Sequence, residues 1–264
     1  MRVAIIMSAV LGLVTNALAA DLDDSVIRGS SGYQPGVPVY YRWNGAYAGG
    51  QIGYTTGQFN FTNATDPQVL LITGQALTFT NPITGKDNTS AAAYGAFVGV
   101  NSQWDDVILG GELSYNHTHL LGASSGAFLV KLPGDANTYT LTGTASANIL
   151  DYATIRGRMG YAFSRFLPYA FAGVAVAHAD LSRVTSLSGP VNTPVIPPVS
   201  FTPQTVGQNQ QSSFLYGYTL GAGMDMALMP NVFVRSEYEF IQFGGFMASR
   251  ANLHSARIGA GVQF

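Results

Sequence analysis

The sequence predicts an all-β fold, an eight-stranded antiparallel transmembrane β-barrel. Hydrophobic residues alternate with small or polar residues over long stretches, and tight turns alternate with long polar connections. The 264-residue chain is also apolar overall and only 10% charged, against roughly 25% in an average soluble domain. After the first residues no window holds the roughly 18 uninterrupted apolar residues of a membrane helix. Strands that present apolar side chains to lipid at every second position explain these observations together.

The alternation is clearest in the last third of the chain. Between Phe214 and Leu228 the even positions are hydrophobic and the odd positions are mostly small or polar. The pattern resumes after residues 229–231, where Val234 lies on one face and Arg235 on the other, and it continues to Phe264. A period of two is that of a β-strand, because successive side chains point to opposite faces of a sheet. The aromatic-rich face is expected to meet lipid and the polar face to line the barrel interior.

Eight strands are predicted, and the connections between them alternate in length. The strands are expected at residues 44–61, 89–103, 107–119, 147–163, 168–183, 213–228, 232–245 and 253–264. Three tight turns, at residues 104–106, 164–167 and 229–231, alternate with long connections at residues 62–88, 120–146 and 184–212. The prolines of the last connection argue against a regular strand or helix over its whole length.

The alternation in length also predicts the topology. Membrane barrels have short periplasmic turns and longer extracellular loops. An even number of strands then places both termini in the periplasm and the long loops outside the cell.

The first residues predict export. Arg2 precedes an apolar stretch from Val3 to Val14, and Ala17-Leu18-Ala19 forms an A-x-A cleavage site. We therefore expect a signal peptide over residues 1–19, a polar periplasmic lead over residues 20–43 and the barrel over residues 44–264. The alternative, a retained membrane anchor, is disfavoured because the apolar stretch is too short to span a bilayer.

Composition excludes several functions. The chain has no cysteine, so disulfides and thiolate metal sites are excluded. The net charge of −2 gives no reason to expect nucleic-acid binding.

Three segments resemble one family of bacterial proteins. Residues 43–54 (WNGAYAGGQIGY), 156–169 (RGRMGYAFSRFLPY) and 217–223 (GYTLGAG) resemble motifs of the small eight-stranded outer-membrane proteins of alphaproteobacteria. This porin-like and immunogenic surface group is related in architecture to the transmembrane domain of OmpA. The resemblance covers residues 43–264 except the long loops, and it implies surface structure more firmly than transport. It also implies outer-membrane lipid, lipopolysaccharide and the barrel-assembly machinery as partners, and Phe264 as a C-terminal assembly signal.

The alternation places seven charged side chains inside the barrel. They are Glu112, Arg156, Arg158, Arg235, Glu237, Glu239 and Arg257. The interior of an eight-stranded barrel is just wide enough for its side chains to fill, and an unpaired buried charge costs several kcal/mol. We expect these charges to form a salt-bridged plug, and the alternative is a narrow ion pore in which the pairs exchange partners.

Aromatic residues near strand ends are expected to form interfacial girdles at the level of the lipid headgroups. These residues are Trp43, Tyr47, Trp104, Phe163, Phe166, Tyr169, Phe233, Tyr238, Phe240 and Phe264. An aromatic cage for a ligand is the alternative.

Four histidines are predicted near the outer ends of strands, namely His117, His119, His178 and His254. His117 and His119 share one face and could contact a metal, haem or a lipopolysaccharide phosphate. Two histidines without a carboxylate at a defined spacing are a weak signal, so we predict no metal and no cofactor. No nucleophile can be paired with a base, and we predict that the protein is not an enzyme.

The sequence thus favours a structural, surface-exposed barrel with mobile extracellular loops that contributes to envelope integrity. Two alternatives stay open. They are a narrow porin for ions or small solutes, and a surface binder of haem or of a host ligand.

Overall fold

A computed structural model describes residues 41–61, 68–72, 75–79, 85–131, 137–190, 203–246 and 249–264. The chain divides into two units, Met1–Val39 and Tyr40–Phe264. The first unit lies outside the described residues, as do the predicted signal peptide and most of the predicted lead, which therefore stay predictions. None of the described residues forms a helix long and apolar enough to cross a membrane.

Eight strands form one closed antiparallel barrel in the order β1-β10-β9-β8-β7-β6-β5-β4. The strands are β1 (Gly45–Asn60), β4 (Lys86–Trp104), β5 (Val107–Lys131), β6 (Thr138–Tyr161), β7 (Phe166–Pro190), β8 (Gln204–Met229), β9 (Val232–Phe246) and β10 (Ser249–Gln263). The ring closes between β1 and β10, which pair from Tyr47 beside Gln263 to Asn60 beside Arg250. The predicted fold class is confirmed.

The three predicted tight turns are confirmed, and all lie at one end of the barrel. They join β4 to β5, β6 to β7 and β8 to β9. Two of them contain a residue with a left-handed backbone, Asp105 with φ of 52° and Ser164 with φ of 55°. Asp and Ser fit such positions because their short polar side chains bond the local backbone. We call this end the turn end and the opposite end the loop end.

The prediction of a long connection over residues 120–146 is wrong for most of its length. β5 and β6 remain paired from Leu121 beside Asn148 to Lys131 beside Thr138. In this part of β6 the apolar side chains point into the barrel, as Leu141 does, and threonines point outward. The expected pattern has hydrophobic residues outside, so the alternation predicts no strand for this part of β6.

The other two long connections also contain more strand than predicted. β7 runs to Pro190 and β8 begins at Gln204, so both strands extend into the predicted connection at 184–212. The connection at 62–88 contains a hairpin of β2 (Gln68–Ile72) and β3 (Gln75–Phe79). Residues 62–67, 73–74, 80–84 and 191–202 lie outside the described residues.

A series of β-bulges crosses β5, β6, β7 and β8, and on β6 the inward positions change from even to odd across it. The register shifts between His117 and Leu120 on β5, between Ile149 and Asp151 on β6, and between Ala179 and Leu181 on β7. An extra residue changes which positions face inward. On the turn-end side of the bulges, hydrophobic side chains point outward, among them Leu113, Ile155, Val174 and Tyr216, which are 48% to 69% exposed. We call this part of the outer wall the apolar band and the part beyond the bulges the polar extension.

Glycines make room for the aromatic rings of the interior. A side chain at Gly221 would meet the ring of Phe171, and one at Gly261 would meet the ring of Phe233. The missing side chains let the rings lie flat against the barrel wall, so that large residues fit in a narrow lumen.

Candidate functional site: the barrel lumen

The lumen contains a cluster of eight ionisable side chains, each at most 4% exposed. Seven are the residues predicted from the alternation, Glu112, Arg156, Arg158, Arg235, Glu237, Glu239 and Arg257, and the eighth is Asp225. Four arginines thus face four carboxylates, so the cluster is formally neutral. We call it the charge cluster.

Glu112 contacts three of the arginines. Its Oε2 accepts a hydrogen bond from Arg235 Nη1 at 2.8 Å and from Arg158 Nη1 at 3.3 Å. Its Oε1 accepts from Arg156 Nε at 3.1 Å and also from Arg156 Nη2. The Tyr47 hydroxyl donates to Oε2 at 2.6 Å. These contacts compensate for the loss of water around the carboxylate.

Glu237 and Glu239 occupy the side of the charge cluster nearer the loop end. Arg156 binds Glu237 with both terminal nitrogens, at 2.7 and 2.8 Å. Arg257 forms ion pairs with both glutamates, and the distance from its Nη2 to Glu239 Oε2 is 2.6 Å. Tyr169 donates to Glu237 at 2.9 Å. Each carboxylate therefore has more than one donor.

Asp225 is the functional residue that sequence reasoning missed. It accepts hydrogen bonds from Arg158 Nη2 at 2.7 Å and from Arg235 Nε at 2.9 Å. The signal was present, since Asp225 lies at an odd position of a strand whose even positions face outward. With Asp225 included, the charge cluster balances without the excess of positive charge that the seven predicted residues alone imply. A fifth buried arginine, Arg183, lies on β7 beyond the bulges.

Aromatic rings pack against the arginines of the charge cluster. The guanidinium carbon of Arg158 lies 3.9 Å from the ring centre of Tyr169, and that of Arg235 lies 4.0 Å from the ring centre of Phe97. Arg156 lies over Phe171 at 4.1 Å. Such contacts attract a cation electrostatically and exclude water. They fix the guanidinium groups in place.

Apolar layers enclose the charge cluster on both sides along the barrel axis. On β9 the inward side chain nearest the turn end is Phe233. The charged residues Arg235, Glu237 and Glu239 follow, and Ile241 and Phe243 lie nearest the loop end. On β5, Ile108 and Glu112 are followed by the buried polar residues Ser114, Asn116 and Thr118, and Leu120 comes last. The charges thus lie between two hydrophobic layers.

The girdle prediction is wrong for four aromatic residues. Trp43, Tyr47, Tyr169 and Phe233 are 1% to 6% exposed and pack inside the turn end of the lumen. Tyr47, Tyr169 and Phe233 occupy inward positions of their strands. The alternation therefore decides the direction of these side chains, although they lie near strand ends. Trp104, Phe163, Phe166, Tyr238 and Phe264 face outward and are 39% to 78% exposed. Phe240 is half-buried on the outer face.

The residues just before β1 enter the lumen. The Tyr41 hydroxyl donates to Gln263 Oε1 at 3.1 Å, and Gln263 Nε2 donates to the carbonyl of Arg42 at 2.9 Å. Trp43 donates its backbone N–H to Gln103 Oε1 at 2.7 Å and packs edge-on against Phe233. Residues 41–43, which the sequence assigned to the periplasmic lead, therefore help to close the turn end.

This placement predicts different environments for the two tryptophans, since Trp43 is 1% exposed and Trp104 is 59% exposed on the outer wall. In vesicles containing a brominated phospholipid, the variant Trp43→Phe should lose most of its fluorescence because Trp104 contacts lipid. The variant Trp104→Phe should keep most of its fluorescence. Equal quenching of the two variants would contradict a buried Trp43.

The four histidines lie on the outer wall near the bulges. His117 Nδ1 is 2.6 Å from Asp151 Oδ1, and His178 Nδ1 is 3.8 Å from Asp151 Oδ2. The ring of His119 packs against His117, and His254 bonds the Tyr238 hydroxyl at 2.7 Å. Within the described ranges, no group of three or more His, Asp or Glu side chains is arranged to hold a metal ion.

Phe264 follows β10 directly. Its N–H donates to the Ala46 carbonyl at 2.8 Å, which joins the last residue to the first strand. Its ring is 78% exposed. The assignment of Phe264 as an assembly signal stays a prediction.

A closed eight-stranded barrel with an apolar outer band and a polar, side-chain-filled lumen defines a small transmembrane β-barrel protein. The model of the outer membrane protein beta-barrel domain family matches residues 30–264, and the chain belongs to this family. The predicted family and the location in the outer membrane are confirmed.

Relatives align over nearly the whole chain. The 31 kDa outer-membrane immunogenic protein of Brucella melitensis biotype 1 is 25% identical over 100% of both chains. The 22 kDa outer membrane protein of Rhizobium leguminosarum bv. viciae is 25% identical over 84% of this chain and 78% of its own. The crystal structure of Neisserial surface protein A aligns with 84% of this chain and 98% of its own at 11% identity, with a TM-score of 0.37.

Proposed function

We propose that this protein is a structural, surface-exposed barrel that contributes to envelope integrity and does not conduct ions or catalyse a reaction. The enclosed charge cluster is the observation that carries the proposal. Glu112 and Arg235 are fixed partners, 2.8 Å apart, and their side chains are each 1% exposed. An open channel needs hydrated charges, whereas these charges are paired with one another and covered by apolar layers on both sides.

Conductance tests this proposal against the narrow porin. Folded protein in a planar bilayer should give no steady current, while a porin of known conductance inserted in the same bilayer gives regular steps. Migration of unboiled protein ahead of boiled protein on a denaturing gel establishes that the sample is folded. A steady current from such folded protein would replace the structural proposal with the porin.

The role in the envelope needs a test in cells. A strain that lacks the protein should grow less well in detergent with a chelator than the parent strain does. The wild-type gene should restore growth. Equal growth of the two strains would contradict a contribution to envelope integrity.

The proposed topology places the loop end outside the cell and both termini in the periplasm. Lys131 is exposed at the loop end and Arg165 is exposed in a turn at the turn end. Trypsin added to intact cells should therefore cut after Lys131, and it should cut after Arg165 only when the outer membrane has been permeabilised. Cleavage after Arg165 in intact cells would reverse the topology.

A further inference from the structure

Beyond the bulges, strand β5 has a paired neighbour on one side only. It pairs with β6 as far as Lys131, which lies beside Thr138. On its other side β5 pairs with β4 only as far as Thr118, which lies beside Ala93. Among the described residues, no strand pairs with this side of β5 beyond Thr118. An edge of this kind can bind another extended chain through its backbone.

The direction of the backbone groups on this edge follows from one hydrogen bond. The N–H of Ala123 donates to Asp87 Oδ2 of β4 at 2.8 Å, and it therefore points away from β6. Backbone groups alternate in direction along a paired strand, and the pairing with β6 has no register shift between Leu121 and Lys131. The N–H and C=O groups of residues 125, 127, 129 and 131 thus also point away from β6. We call residues 125–131 the open edge.

The outer face of β5 also differs from that of β6 beyond the bulges. Leu121 and Leu129 are 57% and 63% exposed, although they lie outside the apolar band. The outward residues beside them on β6 are polar, namely Asn148 beside Leu121 and Thr140 beside Leu129. The strand that lacks a backbone partner on one side is therefore also the strand with apolar side chains on its outer face.

We propose that the open edge binds an extended segment of another polypeptide, which adds a strand antiparallel to β5. The backbone defines this occupant, because an extended chain presents donors and acceptors at the spacing of the edge. Apolar side chains at every second position of the bound segment pack beside Ala127 and Leu129 on the outer face. The proposed topology places the open edge outside the cell, so the partner is a polypeptide of the cell exterior. Only this location rests on the proposed function.

Charge adds a preference for an acidic segment. Lys131 is exposed, and it is the single charged residue between residues 120 and 131. In an antiparallel pair, the residue opposite Lys131 lies at the amino-terminal end of the bound segment, and its side chain points to the same face. An acidic residue there forms an ion pair with Lys131, whereas a basic residue is repelled.

The β5 strands of two copies in one membrane cannot pair at the open edge. Two such copies are related by a twofold rotation about the membrane normal, and the strands of a membrane barrel are tilted by about 35 to 45°. The two β5 strands would therefore cross at about 70 to 90°, twice the tilt, and could not form a ladder. A short segment of another polypeptide is free of this restriction.

Hydrogen exchange measured by NMR on the full chain in lipid nanodiscs tests the proposal. The probe is the synthetic peptide Glu-Thr-Val-Thr-Val-Thr-Val with blocked ends, which places its glutamate opposite Lys131. Saturating peptide should slow the exchange of the Ala127 and Leu129 amides about tenfold, because their N–H groups gain an acceptor. It should leave the Gly126 and Phe128 amides unchanged, because they point toward β6.

Variants at two positions separate the backbone from the charge. Ala127→Pro removes an N–H that points away from β6, a position at which proline is compatible with the ladder. It should weaken peptide binding about tenfold. Ala127→Val is the matched control, because it keeps the N–H and should bind as the wild type does. Lys131→Glu should weaken binding about threefold. All variants must migrate as folded barrels before boiling.

Several outcomes would overturn the proposal. Equal slowing at odd and even residues would exclude strand addition, and binding unchanged by Ala127→Pro would exclude the open edge. A peptide with lysine in place of its glutamate that binds equally well would overturn the acidic preference. Slow exchange of Ala127 without peptide would assign the edge to a second copy if it depends on protein concentration, and to this chain itself if it does not. The conductance and growth tests of the proposed function are independent of these results.

Discussion

Replacing Glu112 with glutamine should lower the free energy of unfolding by about 3 to 5 kcal/mol, the cost of leaving buried charges without a partner. Glu112 contacts Arg156, Arg158 and Arg235, so its loss leaves the charge cluster with one uncompensated positive charge. The lumen offers these groups little water, because apolar layers lie on both sides. Urea unfolding in lipid vesicles, followed by the gel shift of the folded barrel, measures the effect.

A matched control separates burial from charge. Asp105→Asn removes a carboxylate from an exposed turn, and it should change the stability by less than about 0.5 kcal/mol. In a double-mutant cycle, Glu112→Gln and Arg156→Gln should show a coupling of about 0.5 to 3 kcal/mol, and the double variant should be more stable than the sum of the single effects implies. Couplings near zero, together with a steady current through the wild type, would show that the lumen is a wet channel.

Replacing Ile155 with arginine should cost about 2 to 4 kcal/mol if the side chain lies near the middle of the bilayer. Ile155 is 64% exposed on the outer wall of β6 within the apolar band, and a charge there would face hydrocarbon. Equilibrium folding into lipid vesicles measures the cost.

Thr144→Arg is the control on the same strand. Thr144 also faces outward but lies in the polar extension, beyond the bulge at residues 149–151. Its replacement should change the stability by less than about 0.5 kcal/mol because the new side chain reaches water. Equal costs at the two positions would show that the apolar band does not end at the bulges.

The polar extension includes much of the chain that the sequence assigns to the long connections at residues 120–146 and 184–212. Four strands, β5 to β8, continue past the bulges. In β6 the inward side chains of this part are apolar and the outward ones are polar, whereas β5 exposes Leu121 and Leu129 there. The pattern of β6 is that of a barrel wall surrounded by water, and Leu141 and Leu187 are buried inside this part of the barrel. Much of the described wall beyond the apolar band is therefore built on strands.

The sequence by itself determined the fold class, the tight turns and the direction of the interior charges. These features are local, since a strand repeats every two residues and a turn needs only a few suitable residues. The same two-residue alternation also predicts that Asp225 points into the barrel. The resemblance of residues 43–54, 156–169 and 217–223 to family motifs also predicted the family.

Only the tertiary structure decided which groups meet in the lumen. Glu112 and Arg235 are 123 residues apart in the chain, and their contact depends on the stagger of the strands around the closed barrel, which no short segment encodes. Trp43 lies inside because Gln103 and Gln263, from distant strands, bind the backbone around it. The length of β6 depended on its bulge, because an extra residue reverses the inward positions that an uninterrupted alternation would assign.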